Sequence, residues 1–166
     1  MLPLVIDAGD TAWLLAATAL VMLMVPGLAL FYGGMVRSKS VLNMMMMTFS
    51  ALGVITLAWV LVGYSLAFGD DLGGGLLGSP SQYFGLQSLV GGEHDWLSVP
   101  TILFACFQGL FAVITGGLVA GAIADRARFG AWMVFCAVWT VLVYAPIAHW
   151  VFDGSRTGHV GGWLIN

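Results

Sequence analysis

PTILFACFQGLFAVITGGLVAGAIADR, residues 100–126, is the stretch that decides the fold. The run from Trp96 to Ala124 holds no Asp, Glu, Lys or Arg, and Asp125, Arg126 and Arg128 follow directly. Such a run exceeds the roughly 20 residues a helix needs to cross about 30 Å of hydrocarbon. Three more uncharged runs of this kind, Thr11–Val36, Ser40–Gly69 and Phe129–Phe152, complete the chain. Four of the five basic residues, Arg37, Lys39, Arg126 and Arg128, occupy two short gaps between the runs. Seven of the eight acidic ones, Asp7, Asp10, Asp70, Asp71, Glu93, Asp95 and Asp153, sit at the opposite ends. Lys and Arg in short loops stay on the cytoplasmic side. The sequence therefore reads as an all-α integral membrane protein with four transmembrane helices at about 11–36, 41–69, 98–124 and 129–152. Both chain ends and a loop at 70–97 are expected outside.

Composition agrees, since 166 residues that are 60% hydrophobic and 8% charged carry more apolar surface than a soluble fold of this size can hide. Leu72–Gly92 is also uncharged, but seven glycines together with Pro80, Gln82 and Gln87 make it a poor spanning helix and a good external loop. The opening MLPLVIDAGD lacks the basic start of a secretory leader, so no cleaved leader is expected. The net charge of −3 reflects acidic outer loops rather than an acidic partner. Cys106 and Cys136 fall inside spans and read as small hydrophobes, and no Cys/His spacing suggests a metal or cofactor site.

Within the spans, Pro26 predicts a bend in the first helix. Met44–Met47 point all round the second helix and read as adaptable filler. In the third, Gly117 and Gly121 form a small-xxx-small pair that lets another helix approach closely. Phe104, Phe107 and Phe111 share one face there; from spacing alone that stripe reads as core. Tyr144, Trp150 and Phe152 suggest an aromatic belt near the outer end of the fourth helix. His149, beside Pro146, is an ionisable group near membrane depth, and the plain reading is that it satisfies a carbonyl the proline frees. No phosphate loop, paired intramembrane carboxylates or Ser/His/Asp set is present, so an enzyme reading has nothing to stand on. What remains is a channel, a transporter or a membrane-assembly subunit, with no nucleic-acid partner.

Five segments taken together resemble the ammonium transporter family, which includes the Rhesus glycoproteins. They are VPGLALFYGGMVR (25–37), VGYSLAFG (62–69), FQGLFA (107–112), GAIADRARF (121–129) and YAPIAH (144–149), spread over all four helices in the family's order. The resemblance implies two five-helix repeats of opposite orientation, usually with an eleventh helix, and one pore per subunit of a homotrimer. This chain would supply the first four helices, an amino-terminal fragment that alone is inactive. Phe107 and Phe111 match two phenyl rings stacked across the outer part of the pore. At 1.5 Å per residue they lie about 10 and 16 Å inward from Pro100, with Phe111 near the bilayer midplane.

The resemblance also implies an outer recruitment site for ammonium whose aromatic wall falls at Phe152, with Phe107 beneath it. The family usually has tryptophan there. Either the site is weakened, or the helix end is irregular enough for Trp150 to contribute. Phe31 falls in a region flanking the lower pore. The paired pore histidines of the family lie in later helices, and neither His149 nor His159 matches them. Implied partners are ammonium, the bilayer of the plasma or inner membrane and a cytoplasmic PII-type nitrogen regulator. Two other readings stay open on the residues: an ammonium-sensing domain of a signalling protein, and a short four-helix assembly subunit.

Overall fold

The computed structural model describes residues 5–90, 97–154 and 161–165. Glu93 and Asp95 of the expected outer loop, and His159, lie outside them. Among the described residues four helices are long and apolar enough to cross a membrane: α1 (Ala8–Met35), α2 (Ser38–Phe68), α3 (Thr101–Ala122) and α4 (Phe129–Phe152). They alternate in direction. Each boundary has a local cause. Asp7 caps α1 by accepting the Asp10 amide at 2.8 Å, and Pro100 precedes the first residue of α3, where a missing N–H costs nothing. The turn after α3 passes through Asp125 at φ +62°, a left-handed conformation that Asp tolerates better than most residues.

The central helix is α2, which packs against α1, α3 and α4, while α1 also lies along α3. The seams are built on the glycines of α3. A methyl group on Gly109 would lie 2.7 Å from Trp59 Cδ1, and Gly116 faces Ile55, both on α2. On the other flank Gly117 seats Leu28 and Gly121 seats the ring of Tyr32, both on α1. The small-xxx-small pair is thus the track on which α1 lies, and the Tyr32 hydroxyl donates to the Leu118 carbonyl at 3.1 Å across it. In the Met run, Met44 and Met47 are buried while Met46 is half exposed, as four consecutive positions on a helix require.

Two features have no counterpart in the sequence reading. Both α2 and α4 widen into a single π turn, at Trp59–Gly63 and Thr140–Tyr144. In α4 the cause is Pro146, whose ring would clash with the carbonyl four residues back in a regular helix; the wider turn just before it relieves that conflict. The two turns face each other through Trp59 and Tyr144, with ring centroids 5.9 Å apart. Trp59 also meets Tyr64 and Phe68 edge-on at 6.0 and 6.4 Å. Its indole N–H donates to the Ala105 carbonyl of α3 at 3.1 Å, so this one side chain ties three spans together. In α1, by contrast, the helix continues across Pro26 as one element.

This packing makes a clear prediction. Gly109→Ala should destabilise the bundle by about 1–3 kcal/mol, because the added methyl overlaps an indole that cannot turn away without breaking its hydrogen bond. Gly53→Ala, with open space around the new methyl, should be neutral or stabilising by up to about 1 kcal/mol through helix propensity. The thermal unfolding midpoints of the two variants in detergent check the contrast, and equal midpoints would contradict it.

Candidate functional site

The structure separates the aromatic stripe of α3 into two parts. Phe104 turns inward onto Phe68, 5.2 Å away. Phe107 and Phe111 pair with each other at 5.0 Å and 77°, edge to face. Two rings one helical turn apart on one helix thus take a geometry that the aromatic quadrupole favours. Phe107 is half-buried and Phe111 is 40% exposed. Leu118, further along α3, is exposed as well. Thr115 turns back to donate to the Phe111 carbonyl at 2.7 Å, so a hydroxyl in this region is satisfied within its own helix.

The other site residues lie elsewhere. Phe152 is the last residue of α4, 55% exposed, and among the described residues no ring contact joins it to another aromatic. Trp150 points away from it: its indole N–H donates to the Leu76 carbonyl at 2.7 Å, and its ring meets Trp163 at 6.0 Å. Since α4 is regular from Ala145 to Phe152, no irregular end brings Trp150 beside Phe152. Phe31 is exposed near the far end of α1, against Tyr32 at 5.5 Å. Tyr144, expected in the outer belt, instead belongs to the π turn and packs on Trp59 and Trp139.

The acidic end of the bundle is closed by a loop that folds back on the helices. Asp71 and Gly78 form an antiparallel bridge, and the Leu72 amide donates to the Leu77 carbonyl. Ser65, near the end of α2, donates to the Ser79 carbonyl at 2.7 Å and accepts the Tyr83 amide at 3.0 Å. Ser98 donates to Asp10 at 2.6 Å and its carbonyl accepts the Asp7 amide, tying the start of α1 to the approach of α3.

His149 is fully buried at this end. Its Nδ1 lies 3.1 Å from the Ala67 carbonyl, so it reaches across to α2 rather than to a carbonyl freed by Pro146 in its own helix. The same nitrogen is 3.4 Å from Asp153 Oδ2, and Nε2 is 3.5 Å from Asp71 Oδ1. Burial works against ionising Asp71, but the Gly75 amide, the His149 side chain and the Gly73 amide outweigh it and hold the carboxyl below its ordinary value of 3.8. A depressed value means that the charged form supports the folded hairpin above that pH and that this support is lost as pH falls through the depressed value. Exchange of the Leu72 and Gly78 amides, corrected for its intrinsic pH dependence, should thus be level from neutral pH to about pH 5 and rise below about pH 4; Asp71→Asn should abolish the step. Among the described residues no group of three or more His, Cys, Asp or Glu side chains could hold a metal ion.

Four apolar spans, tied at the acidic end by hydrogen-bonded loops and carrying an aromatic pair partly open along one span, define a polytopic membrane protein. Residues 12–166 match the Ammonium Transporter Family. The chain is 52% identical over 177 aligned residues to an ammonium transporter of Mycobacterium bovis, covering 96% of this chain and 37% of that protein. It is 49% identical to one of Aquifex aeolicus, covering 94% and 37%. The crystal structure of Saccharomyces cerevisiae Mep2 superposes with a TM-score of 0.83 at 38% identity, over 96% of this chain and 34% of that one. The chain belongs to the ammonium transporter family, whose members are transporters rather than enzymes, and spans little more than a third of the length of these relatives.

Proposed function

We propose that this chain forms part of a pore that moves ammonium across the cell membrane. The observation that carries the reading is the edge-to-face pair of Phe107 and Phe111, held on the one span whose other faces are consumed by glycine-mediated packing on α1 and α2. In an intact protein of eleven helices with inverted repeats, assembled as a homotrimer, the partly exposed flank of this pair faces the lumen. A hydrophobic constriction there dewets, and a hydrated ion crosses only by shedding water. Phe152, with Phe107 deeper along the path, offers the aromatic wall that receives the cation outside. Trp150 serves behind it by fixing the external hairpin. Phe31 flanks the inner exit.

Orientation follows from charge. The turns bearing Arg37, Lys39, Arg126 and Arg128 lie in the cytoplasm and the amino end outside, so the inner turns contribute to the surface on which a PII-type regulator docks.

Residues 1–166 alone, reconstituted in liposomes, should carry no ammonium-dependent current, since the flank bearing Phe111 is open; a substantial current would contradict this. The intact protein should show saturable methylammonium uptake, and its absence would overturn the reading.

A further inference from the structure

Inward of the aromatic pair the same face of α3 changes character. At 100° per residue Phe107, Phe111, Thr115 and Leu118 fall on a strip about 80° wide, and from Ala112 to Ala122 the only polar side chain of α3 is Thr115. It lies about 6 Å inward of Phe111. Its hydroxyl donates to the Phe111 carbonyl at 2.7 Å and is also paired with the Tyr144 hydroxyl on α4. A threonine hydroxyl has one proton. Since Thr115 uses that proton on Phe111, Tyr144 is the donor to Thr115, and the phenol oxygen keeps its lone pairs. Among the described residues no group donates to that oxygen.

The phenol is also held in place. Tyr144 closes the π turn Thr140–Tyr144, a helical irregularity that is frequent at functional sites. Its ring lies between Trp59 of α2 at 5.9 Å and Trp139 of the preceding turn at 5.7 Å. Trp139 in turn abuts α3, where a methyl group on Gly116 would stand 3.7 Å from its ring. The ring of Tyr144 cannot swing away without giving up both aromatic contacts. Tyr144 and Thr115 are each half-buried, so the hydroxyl pair is not sealed inside the core.

A cation that sheds water at an aromatic constriction carries N–H donors into an apolar passage, where an unmade hydrogen bond is costly. The nearest acceptor inward then sets the height of the barrier. A neutral phenol oxygen suits that position, because it offers one hydrogen bond without the charge that would trap the ion. We propose that Tyr144 is the first hydrogen-bond acceptor for the dehydrated N–H donor inward of the Phe107–Phe111 constriction, and that Thr115 is the positioning residue that takes its proton and so turns its lone pairs toward the strip. The proposal rests on the transport reading and adds to it a residue on the substrate's path.

The test uses the intact protein in proteoliposomes. Tyr144→Phe keeps the ring and its packing and removes the acceptor, so kcat for methylammonium should fall about tenfold with KM within about twofold. The ammonium current should fall alongside it while the potassium current stays unchanged, because the constriction itself is intact. Thr115→Val should lower kcat as well, and Thr115→Ser, which restores the hydroxyl, should match the unaltered protein. In Tyr144→Phe the Thr115→Val change should have no further effect, since a residue that acts through Tyr144 has nothing left to position. A kcat for Tyr144→Phe within about twofold of the unaltered value would overturn the acceptor role, and so would a rise in potassium current, which marks disturbed packing rather than a lost hydrogen bond. Thr115→Ser as slow as Thr115→Val, or losses that multiply in the double variant, would overturn the positioning role. If the unaltered protein shows no saturable uptake, the transport reading fails and this inference with it; normal uptake with Tyr144→Phe unimpaired overturns this inference alone.

Discussion

Phe111→Ala in the intact protein should lower discrimination between ammonium and a hydrated alkali cation by about tenfold or more, equivalent to about 1.4 kcal/mol at the barrier. The physical reason is volume. Phe111 pairs edge-on with Phe107 at 5.0 Å, and removing its ring leaves a gap of several methylene groups at the narrowest apolar point of the proposed path. A constriction that excluded bulk water then admits it, and a potassium ion that had to shed its shell no longer does. Ammonium- and potassium-elicited currents from proteoliposomes give the ratio directly. Phe104→Ala is the matched control: that half-buried ring packs on Phe68 at the edge of the core, so its loss should lower stability by about 1–3 kcal/mol without changing the ratio. If the ratio is the same in wild type and Phe111→Ala, the pair is not the barrier.

The second large effect concerns the outer mouth. Phe152 is 55% exposed at the end of α4, where cation–π attraction is worth about 0.5–1 kcal/mol and tryptophan is the strongest partner. Phe152→Trp should thus tighten the apparent affinity for methylammonium by about two- to fivefold, and Phe152→Ala should weaken it by a similar factor. Both should leave the ammonium-to-potassium ratio unchanged, because the ring acts before the constriction. Affinity that fails to move in either direction would remove Phe152 from the recruitment wall. A change in the selectivity ratio would place it at the barrier instead.

The spans were legible because lipid imposes a coarse rule that composition alone expresses: long uncharged runs, with basic and acidic gaps sorted to opposite sides. Gly117 and Gly121 were legible for a related reason, since small residues four apart have few uses in a membrane helix other than close approach, and the structure seats Leu28 and Tyr32 on them. The π turns were not legible. An extra residue in a helical turn leaves no compositional trace, and in α2 not even a proline marks it. Nor did periodicity separate Phe104 from Phe107 and Phe111, because helical spacing gives an angle but not which neighbour occupies it.

The clearest loss was at His149. Read along the chain, it stood beside Pro146 and invited an explanation within its own helix. Its acceptor is on α2, and its second carboxylate comes from a hairpin 78 positions earlier in the sequence, between residues 71 and 149. Only the i, i+4 relation to Asp153 was visible. Trp150 was ambiguous for the same reason, and the Leu76 carbonyl that holds it could not be anticipated from local sequence.

The central claim is that Phe107 and Phe111 face a water-accessible conduit rather than acyl chains. Cysteine placed at each position, in the intact protein with C106S and C136S as background, reports this directly in lipid vesicles. The account predicts labelling by a membrane-impermeant thiol reagent applied from outside, faster at 107 than at 111, with protection by ammonium at both. Labelling only by a lipid-soluble maleimide, with no effect of ammonium, would contradict it.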